Sequence, residues 1–177
     1  DDEDDVRRVL RRVAEEVRKL DEDLKRVLKE SKERVKRWND DAKRRLDKVR
    51  EDLKRKGLDE SALRRAEDVL RRIKKRIDES TEDLDRLHKE IEKEVRDSHK
   101  KMREDLDKVR EDLERTGDKK VLEELKKRLE DLLKRHEEEV RRLKEENKKL
   151  NDDHRRELER LKKELTDLLK RLDDERK

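Results

Sequence analysis

The sequence contains no cysteine, proline, phenylalanine or tyrosine, and only two glycines and one tryptophan among 177 residues. Without cysteine there is no disulfide framework and no thiolate chemistry. With so few aromatic rings, there is almost no surface on which nucleic-acid bases could stack. No apolar run exceeds two residues, so we expect neither a transmembrane span nor a signal peptide.

Charged side chains make up 64% of the sequence and hydrophobic ones 27%, and 59 basic against 55 acidic residues leave a net charge of +4. Such a charge load is typical of disorder when apolar residues are scattered. Here they are periodic and the polar residues are helix formers, which indicates long helices or coiled coils. The basic run RRIKKR at 71–76 is flanked by acidic residues. We therefore interpret it as a solvated helix face and expect no nucleic-acid or membrane partner.

The two glycines divide the chain into three helices. Gly57 and Gly117 each follow a polar helix end, and Asp59 or Ser61 after the first and Asp118 after the second can cap the next helix. The predicted helices span about 3–56, 59–116 and 118–175, each roughly 80–85 Å long. Short loops make neighbouring helices antiparallel. The sequence therefore predicts one all-α, up-down-up three-helix bundle over residues 1–177, coiled-coil-like and nearly straight.

One inward-facing seam runs along each predicted helix, with steps that alternate between three and four residues. In the first helix the seam consists of Val6, Leu10, Val13, Val17, Leu20, Leu24, Val27, Ser31, Val35, Trp38, Ala42, Leu46, Val49 and Leu53. The second helix continues it with Leu63, Ala66, Leu70, Ile73, Ile77, Ser80, Leu84, Leu87, Ile91, Val95, Ser98, Met102, Leu106, Val109 and Leu113. The third contributes Leu122, Leu125, Leu129, Leu132, His136, Val140, Leu143, Asn147, Leu150, His154, Leu158, Leu161, Leu165, Leu168 and Leu172. The mean step, near 3.6 residues, favours straight helices over supercoiled ones.

Polar residues interrupt this seam. They are Ser31, Ser80, Ser98, His136, Asn147 and His154, with Asn39, Thr81, His88, His99 and Asn151 beside it. Short-loop hairpin geometry pairs positions whose numbers total about 115 across the first loop and about 235 across the second. The predicted pairs are Ser98 with His136, His88 with Asn147, and Ser80 with His154, with Ser31 near the second pair and Asn39 near the third. Since slipping the register would leave buried donors unpaired, these residues are predicted to form a structural polar network that fixes helix register.

Histidine, serine and asparagine also occur in metal sites, pH switches and catalytic sites. The histidines fall in separate layers without cysteine, so no metal site or cofactor is expected. A proton switch would weaken folding below about pH 5.5, because a charged imidazole is costly to bury. The sequence has no nucleophile elbow and no glycine-rich oxyanion loop, so no catalytic residues and no enzyme activity are expected. Trp38 is interpreted as a core aromatic side chain whose indole N–H needs an acceptor such as Asn39.

The segment LDKVREDL occurs at 46–53 and again at 106–113, and the loops read KGLDES and TGDKK. Together with the Arg/Lys/Glu/Asp-saturated surface and the Ser, His and Asn seam positions, these features resemble a computationally designed, idealised three-helix bundle with buried hydrogen-bond networks. The resemblance covers the whole chain and is one of style. It implies high stability, a soluble protein in the cytoplasm of an expression host, and no natural substrate.

The sequence thus predicts a monomeric structural scaffold that requires no partner. The alternative is a designed interaction module that leaves part of a seam open for a helical partner and responds to pH through buried histidine. Val9, Val121, Leu133 and Leu169 sit one residue off the seam, which is the only hint of a second stripe.

Overall fold

The computed structural model describes residues 1–176 and contains three α-helices: α1 (Asp2–Arg55), α2 (Glu60–Arg115) and α3 (Lys119–Arg176). There is no strand in this part of the chain. The predicted all-α three-helix bundle is confirmed, and every predicted helix end lies within one residue of the observed one. The predicted domain also includes Lys177, which lies outside the described residues.

The loops end and begin the helices as the sequence suggested, although the two glycines differ. Gly57 has φ +63°, a left-handed conformation that terminates α1 and that other residues adopt at a cost. Gly117 does not enter that region. Asp59 caps α2 by accepting a hydrogen bond from the Ala62 backbone N–H at 2.7 Å. Asp118 caps α3 by accepting one from the Lys120 N–H at 3.1 Å.

The helices contribute to two compact units. Unit 1 consists of Asp1–Lys29 and Lys89–Asn147, and unit 2 consists of Glu30–His88 and the described residues from Lys148 onward. In each unit α1 and α3 run parallel while α2 runs antiparallel to both. Contacts between α1 and α3 keep a nearly constant separation in residue number, from 115 to 121, as parallel helices require.

Each unit has its own apolar core. In unit 1 the buried cluster comprises Val6, Leu10, Val13, Val17, Met102, Leu106, Val109, Leu113, Leu122, Leu125, Leu129, Leu132 and Leu133. In unit 2 it comprises Ala42, Leu46, Val49, Leu53, Ala66, Leu70, Ile73, Ile77, Leu158, Leu161, Leu165, Leu168 and Leu172. At about 25 cal/mol per Å² of apolar surface removed from water, burial of these side chains is the main favourable term in folding.

The hairpin estimate of register is accurate for one pair of helices and displaced for the other. Across the second loop Ser80 contacts His154, one residue from the position expected. Across the first loop Asp21 contacts His99, whereas the estimate placed residue 94 opposite Asp21. The displacement is five residues, or about one and a half helical turns.

The seam itself shifts by one residue at five places. The predicted inward residues Leu20, Trp38, Leu63, Leu87 and Leu150 are only half-buried, and the buried positions are Asp21, Asn39, Ala62, His88 and Asn151. Val27, Ser80 and Ser98 are also half-buried. In four of the five cases a polar side chain replaces its apolar neighbour in the interior, and each has a hydrogen-bond partner there.

Outside the cores, the described surface is polar and charged. It carries many ion pairs within and between helices, and across residues 1–176 no large hydrophobic side chain is exposed. Over the same residues, none of the helices is apolar enough along its length to cross a membrane.

Candidate functional site

The polar residues buried between the helices form three clusters, and each cluster joins all three helices. We name them after their central residues: the His154 cluster and the Asn151 cluster in unit 2, and the Asp21 cluster in unit 1. In residues 1–176 no fully buried side-chain nitrogen or oxygen lacks a hydrogen-bond partner. A buried polar atom without a partner would cost about 1–3 kcal/mol.

In the His154 cluster one imidazole uses both ring nitrogens. Nδ1 of His154 lies 2.8 Å from Oγ of Ser80, and Nε2 lies 2.7 Å from Oδ1 of Asn39. An amide oxygen only accepts, so Nε2–H must be the donor to Asn39. In the neutral ring Nδ1 then accepts from the Ser80 hydroxyl. The structure thus brings together three side chains that the sequence had placed in one layer.

In the Asn151 cluster the amide bridges two helices. Oδ1 of Asn151 accepts a hydrogen bond from Nε2–H of His88 at 2.8 Å, and its Nδ2 donates to Oγ of Ser31. The predicted partner of His88 was Asn147; the observed partner is one helical turn further along α3. Asn147 is itself buried and belongs to unit 1.

The Asp21 cluster contains a buried carboxylate. Oδ1 of Asp21 accepts a hydrogen bond from Nε2 of His136 at 2.7 Å, and Oδ2 accepts one from Nδ1 of His99, also at 2.7 Å. Asp21 is 7% exposed and His136 3%. Burial raises the pKa of Asp21, but the hydrogen bonds from His136 and His99 and the charges of both rings offset this, so its net pKa is lowered from 3.8.

A fourth residue, Arg103, determines the tautomer of His99. Its guanidinium donates a hydrogen bond to Nε2 of His99 at 2.8 Å. Arginine only donates and an ionised carboxylate only accepts. Therefore, the neutral form of His99 in this geometry carries its proton on Nδ1, facing Asp21.

The two buried histidines of unit 2 lie in a different electrostatic environment. Burial lowers the pKa of His88 below 6.5, with the nearby charge of Lys32 adding to the effect while the Asn151 hydrogen bond and Asp85 oppose it. Burial likewise lowers the pKa of His154, and repulsion from His88 adds to the shift. Both rings are therefore held neutral to lower pH than free histidine.

The remaining residues that the sequence singled out include Ser98, Thr81 and Trp38, which lie outside the three clusters. Ser98 is half-buried and lines a cleft together with His136, but no hydrogen bond joins the two. Thr81 donates to the backbone carbonyl of Ile77 at 2.8 Å, a local bond within α2. Trp38 is half-buried at the edge of the unit 2 core. The guanidinium carbon of Arg155 lies 5.4 Å from the centre of its ring, a cation–π contact.

Sequence reasoning missed Asp21 altogether and left His99 and Asn151 outside the predicted set. Asp21 lies four residues after Val17 and three before Leu24, so it fits the seam as well as Leu20 does. That spacing was the available signal. Among the described residues no group of histidine and carboxylate side chains has an arrangement that could hold a metal ion.

Beside the Asp21 cluster, a cleft of about 450 Å³ opens between α2 and α3 of unit 1. Its lining includes Ser98, Met102, Leu132 and His136. A second cleft of about 480 Å³ lies between α1 and α2 of the same unit and includes Asp21 and His99. The cluster is therefore reachable from solvent on two sides.

No protein-family model matches this chain, and neither the curated proteins nor the solved structures include a significantly similar one.

Proposed function

We propose that the chain is a designed structural scaffold, without a natural substrate, in which the three buried polar clusters specify helix register. The observation that carries the proposal is the joining of all three helices by hydrogen bonds in each cluster. The Asn151 cluster runs from His88 through Asn151 to Ser31, and the His154 cluster runs from Ser80 through His154 to Asn39.

The polar clusters discriminate energetically between alternative alignments of the helices. Leucine-rich seams resemble one another at every heptad, so apolar packing alone separates the native alignment from slipped ones by little. A slip would leave the His154 ring nitrogens and the Asn39 amide buried without partners, at about 1–3 kcal/mol each. Specifying register and oligomeric state is the best-attested use of polar residues in helical interfaces.

The polar surface supports a monomer that requires no partner. No large hydrophobic side chain is exposed over residues 1–176. The off-seam residues Val9, Val121 and Leu169 pack against the cores of their own units, and Leu133 is buried. A partner helix would need an uncovered apolar stripe. The described surface offers no such stripe in support of the alternative proposal, a designed interaction module with pH-responsive histidines.

Solution mass distinguishes the two proposals. Light scattering on a sizing column at micromolar concentration and neutral pH should give about 21.9 kDa, the mass of one chain, at every concentration tested. A mass of two chains or more would support the interaction module and would make the polar clusters determinants of partner choice.

A further inference from the structure

The cleft between α2 and α3 of unit 1 has the size and mixed character of a small-molecule site. It measures about 450 Å³ and combines the apolar side chains of Met102 and Leu132 with the polar groups of Ser98 and His136. Clefts of roughly 300–1,000 Å³ with a few polar groups are typical of ligand sites.

His136 presents a basic atom to this cleft. Its Nε2–H donates to the ionised carboxylate of Asp21 at 2.7 Å, so in the neutral ring Nδ1 carries the lone pair. Nδ1 has no hydrogen-bond partner within residues 1–176, and no fully buried side-chain atom there lacks one. It follows that Nδ1 is not completely buried, although the His136 side chain is only 2% exposed, and the cleft that His136 lines is the one between α2 and α3.

No other histidine combines these properties. His154 and His99 each have partners at both ring nitrogens. His88 has a partner only at Nε2, but that partner is the neutral amide of Asn151. Only His136 pairs an accessible Nδ1 with a buried carboxylate, which is the arrangement by which an enzyme fixes an imidazole tautomer and stabilises the imidazolium.

We propose that His136, oriented by Asp21, is a general base that hydrolyses activated aryl esters of small carboxylic acids bound in the cleft between α2 and α3. This reactivity goes beyond the scaffold role and requires no natural substrate.

The reaction consumes only the ester and water. Nδ1 of His136 takes a proton from a water molecule while the water oxygen forms a bond to the ester carbonyl carbon. Collapse of the tetrahedral adduct breaks the bond to the aryloxide, which leaves and receives the proton from His136 or from solvent. The Asp21 carboxylate stabilises the imidazolium that exists in between.

The charges around the cleft come from both of its helices. They are Glu94, Asp97, Lys101 and Asp105 on α2 and Arg135 and Glu139 on α3. From α1, Asp21 faces the opposite edge of the ring, with His99 on its other oxygen. The two cations can offset the negative charge that develops on the carbonyl oxygen, while the carboxylates disfavour an anionic substrate, so a neutral acetate ester is the appropriate probe.

The test is the steady-state hydrolysis of 4-nitrophenyl acetate by the full chain, followed over many turnovers by release of nitrophenolate. The His136→Gln variant retains an N–H donor for Asp21 and every lysine, so the difference in kcat/KM isolates the imidazole from acylation of amines. We expect kcat/KM to fall at least about tenfold, near the lower range of general-base effects. Ser98→Phe should lower it to a similar extent by filling the cleft while leaving the Asp21–His136 pair intact.

Asp21→Asn examines the positioning role, because it should lower kcat while leaving KM nearly unchanged, which a general loss of structure around the cleft would not do. His88→Gln, a histidine change in unit 2, should leave kcat/KM within about twofold of the parent, and circular dichroism checks folding of every variant. If His136→Gln unfolds, Ser98→Phe decides. Equal rates for the parent and for every folded variant of His136 and Ser98 would overturn the proposal.

Discussion

The two units use histidine in opposite ways. In unit 1, His136 and His99 both donate to one ionised carboxylate, Asp21. In unit 2, His88 and His154 donate to neutral amide oxygens of Asn151 and Asn39. An imidazole beside a buried carboxylate gains a stabilising charge if it is protonated, whereas one beside an amide does not. The same residue type therefore supports a charged cluster in one unit and neutral clusters in the other.

Removal of the buried carboxylate should have the largest effect. Asp21→Ala leaves the Nε2–H of His136, a residue only 3% exposed, without its acceptor, and we expect the free energy of unfolding to fall by about 3 kcal/mol. The matched control is Asp23→Ala, two residues along α1, where a more exposed carboxylate pairs with Lys144 and Arg26. Urea denaturation that shows equal losses for the two variants would contradict the difference in burial on which this prediction rests.

Breaking a neutral cluster should lower the free energy of unfolding by less than the removal of Asp21 does. His154→Leu removes the donor to Asn39 and leaves that buried amide oxygen unpaired, which we expect to lower the free energy of unfolding by about 2 kcal/mol. Adding Asn39→Leu and Ser80→Ala to the same chain should recover most of the loss, because an apolar replacement of the whole cluster leaves no unpaired group. The measurement is urea denaturation of the single and triple variants. A triple variant less stable than the single one would contradict the expected gain from replacing the whole cluster.

Acid should weaken unit 2 before unit 1. Because burial lowers the pKa of His88 and His154 from 6.5, the unfolded chain binds protons that the folded chain excludes as the pH falls below that value. Their contribution is complete above about pH 6.5 and declines below it, by at most about 1.4 kcal/mol per pH unit for each histidine. The pKa of Asp21 is instead lowered from 3.8, so its contribution is lost only as the pH falls below that value.

Hydrogen exchange at several pH values can separate the two units. Between pH 6.5 and pH 4.5, after correction for intrinsic exchange rates, protection should fall more for amides of residues 30–88 than for those of 89–147. A His88→Gln, His154→Gln variant should lose most of this pH dependence. Equal loss of protection in both ranges of the parent chain would show that the buried histidines do not govern its acid response.

The two loops offer the smallest contrast. Gly57, in unit 2, has φ +63°, while Gly117, in unit 1, lies outside the left-handed region, and a Cβ would meet nothing at either position. Gly57→Ala should therefore cost about 1 kcal/mol through backbone strain alone. Gly117→Ala should be neutral or slightly stabilising, because it reduces the freedom of the unfolded chain. Thermal melts of both variants would expose an error if Gly117→Ala proved the more damaging.

The fold was predictable because its signals are local. Two glycines followed by Asp59 and Asp118 located the helix ends, and the apolar period assigned most inward positions. The hairpin estimate then brought Ser80 and His154 together, because the second loop aligns its helices nearly level. Across the first loop the alignment is displaced by about one and a half turns, which depends on packing between side chains distant in sequence.

The Asp21 cluster was not predictable for a related reason. Between the inward residues Val17 and Leu24, a step of three residues and then four passes through Leu20. A step of four and then three passes through Asp21, and both satisfy the same helical period. The same ambiguity separates Trp38 from Asn39 and Leu87 from His88. The sequence prediction placed the apolar residue of each pair inward. The structure instead buries the polar neighbour, because the hydrogen-bond partner of that neighbour lies on a facing helix. Because 64% of the residues are charged, the presence of an aspartate at this position does not by itself indicate a buried carboxylate.

The central claim, that polar clusters specify register, is tested most directly by measuring helix alignment in a chain that lacks them. Spin labels at the exposed positions Arg72 and Lys163 of unit 2 report the offset between α2 and α3. In a variant that replaces all three clusters, including the Asp21 cluster, with apolar residues, we predict an equally stable bundle with more than one label distance, separated by whole helical turns of about 5.4 Å. A single distance identical to that of the parent chain would contradict the claim.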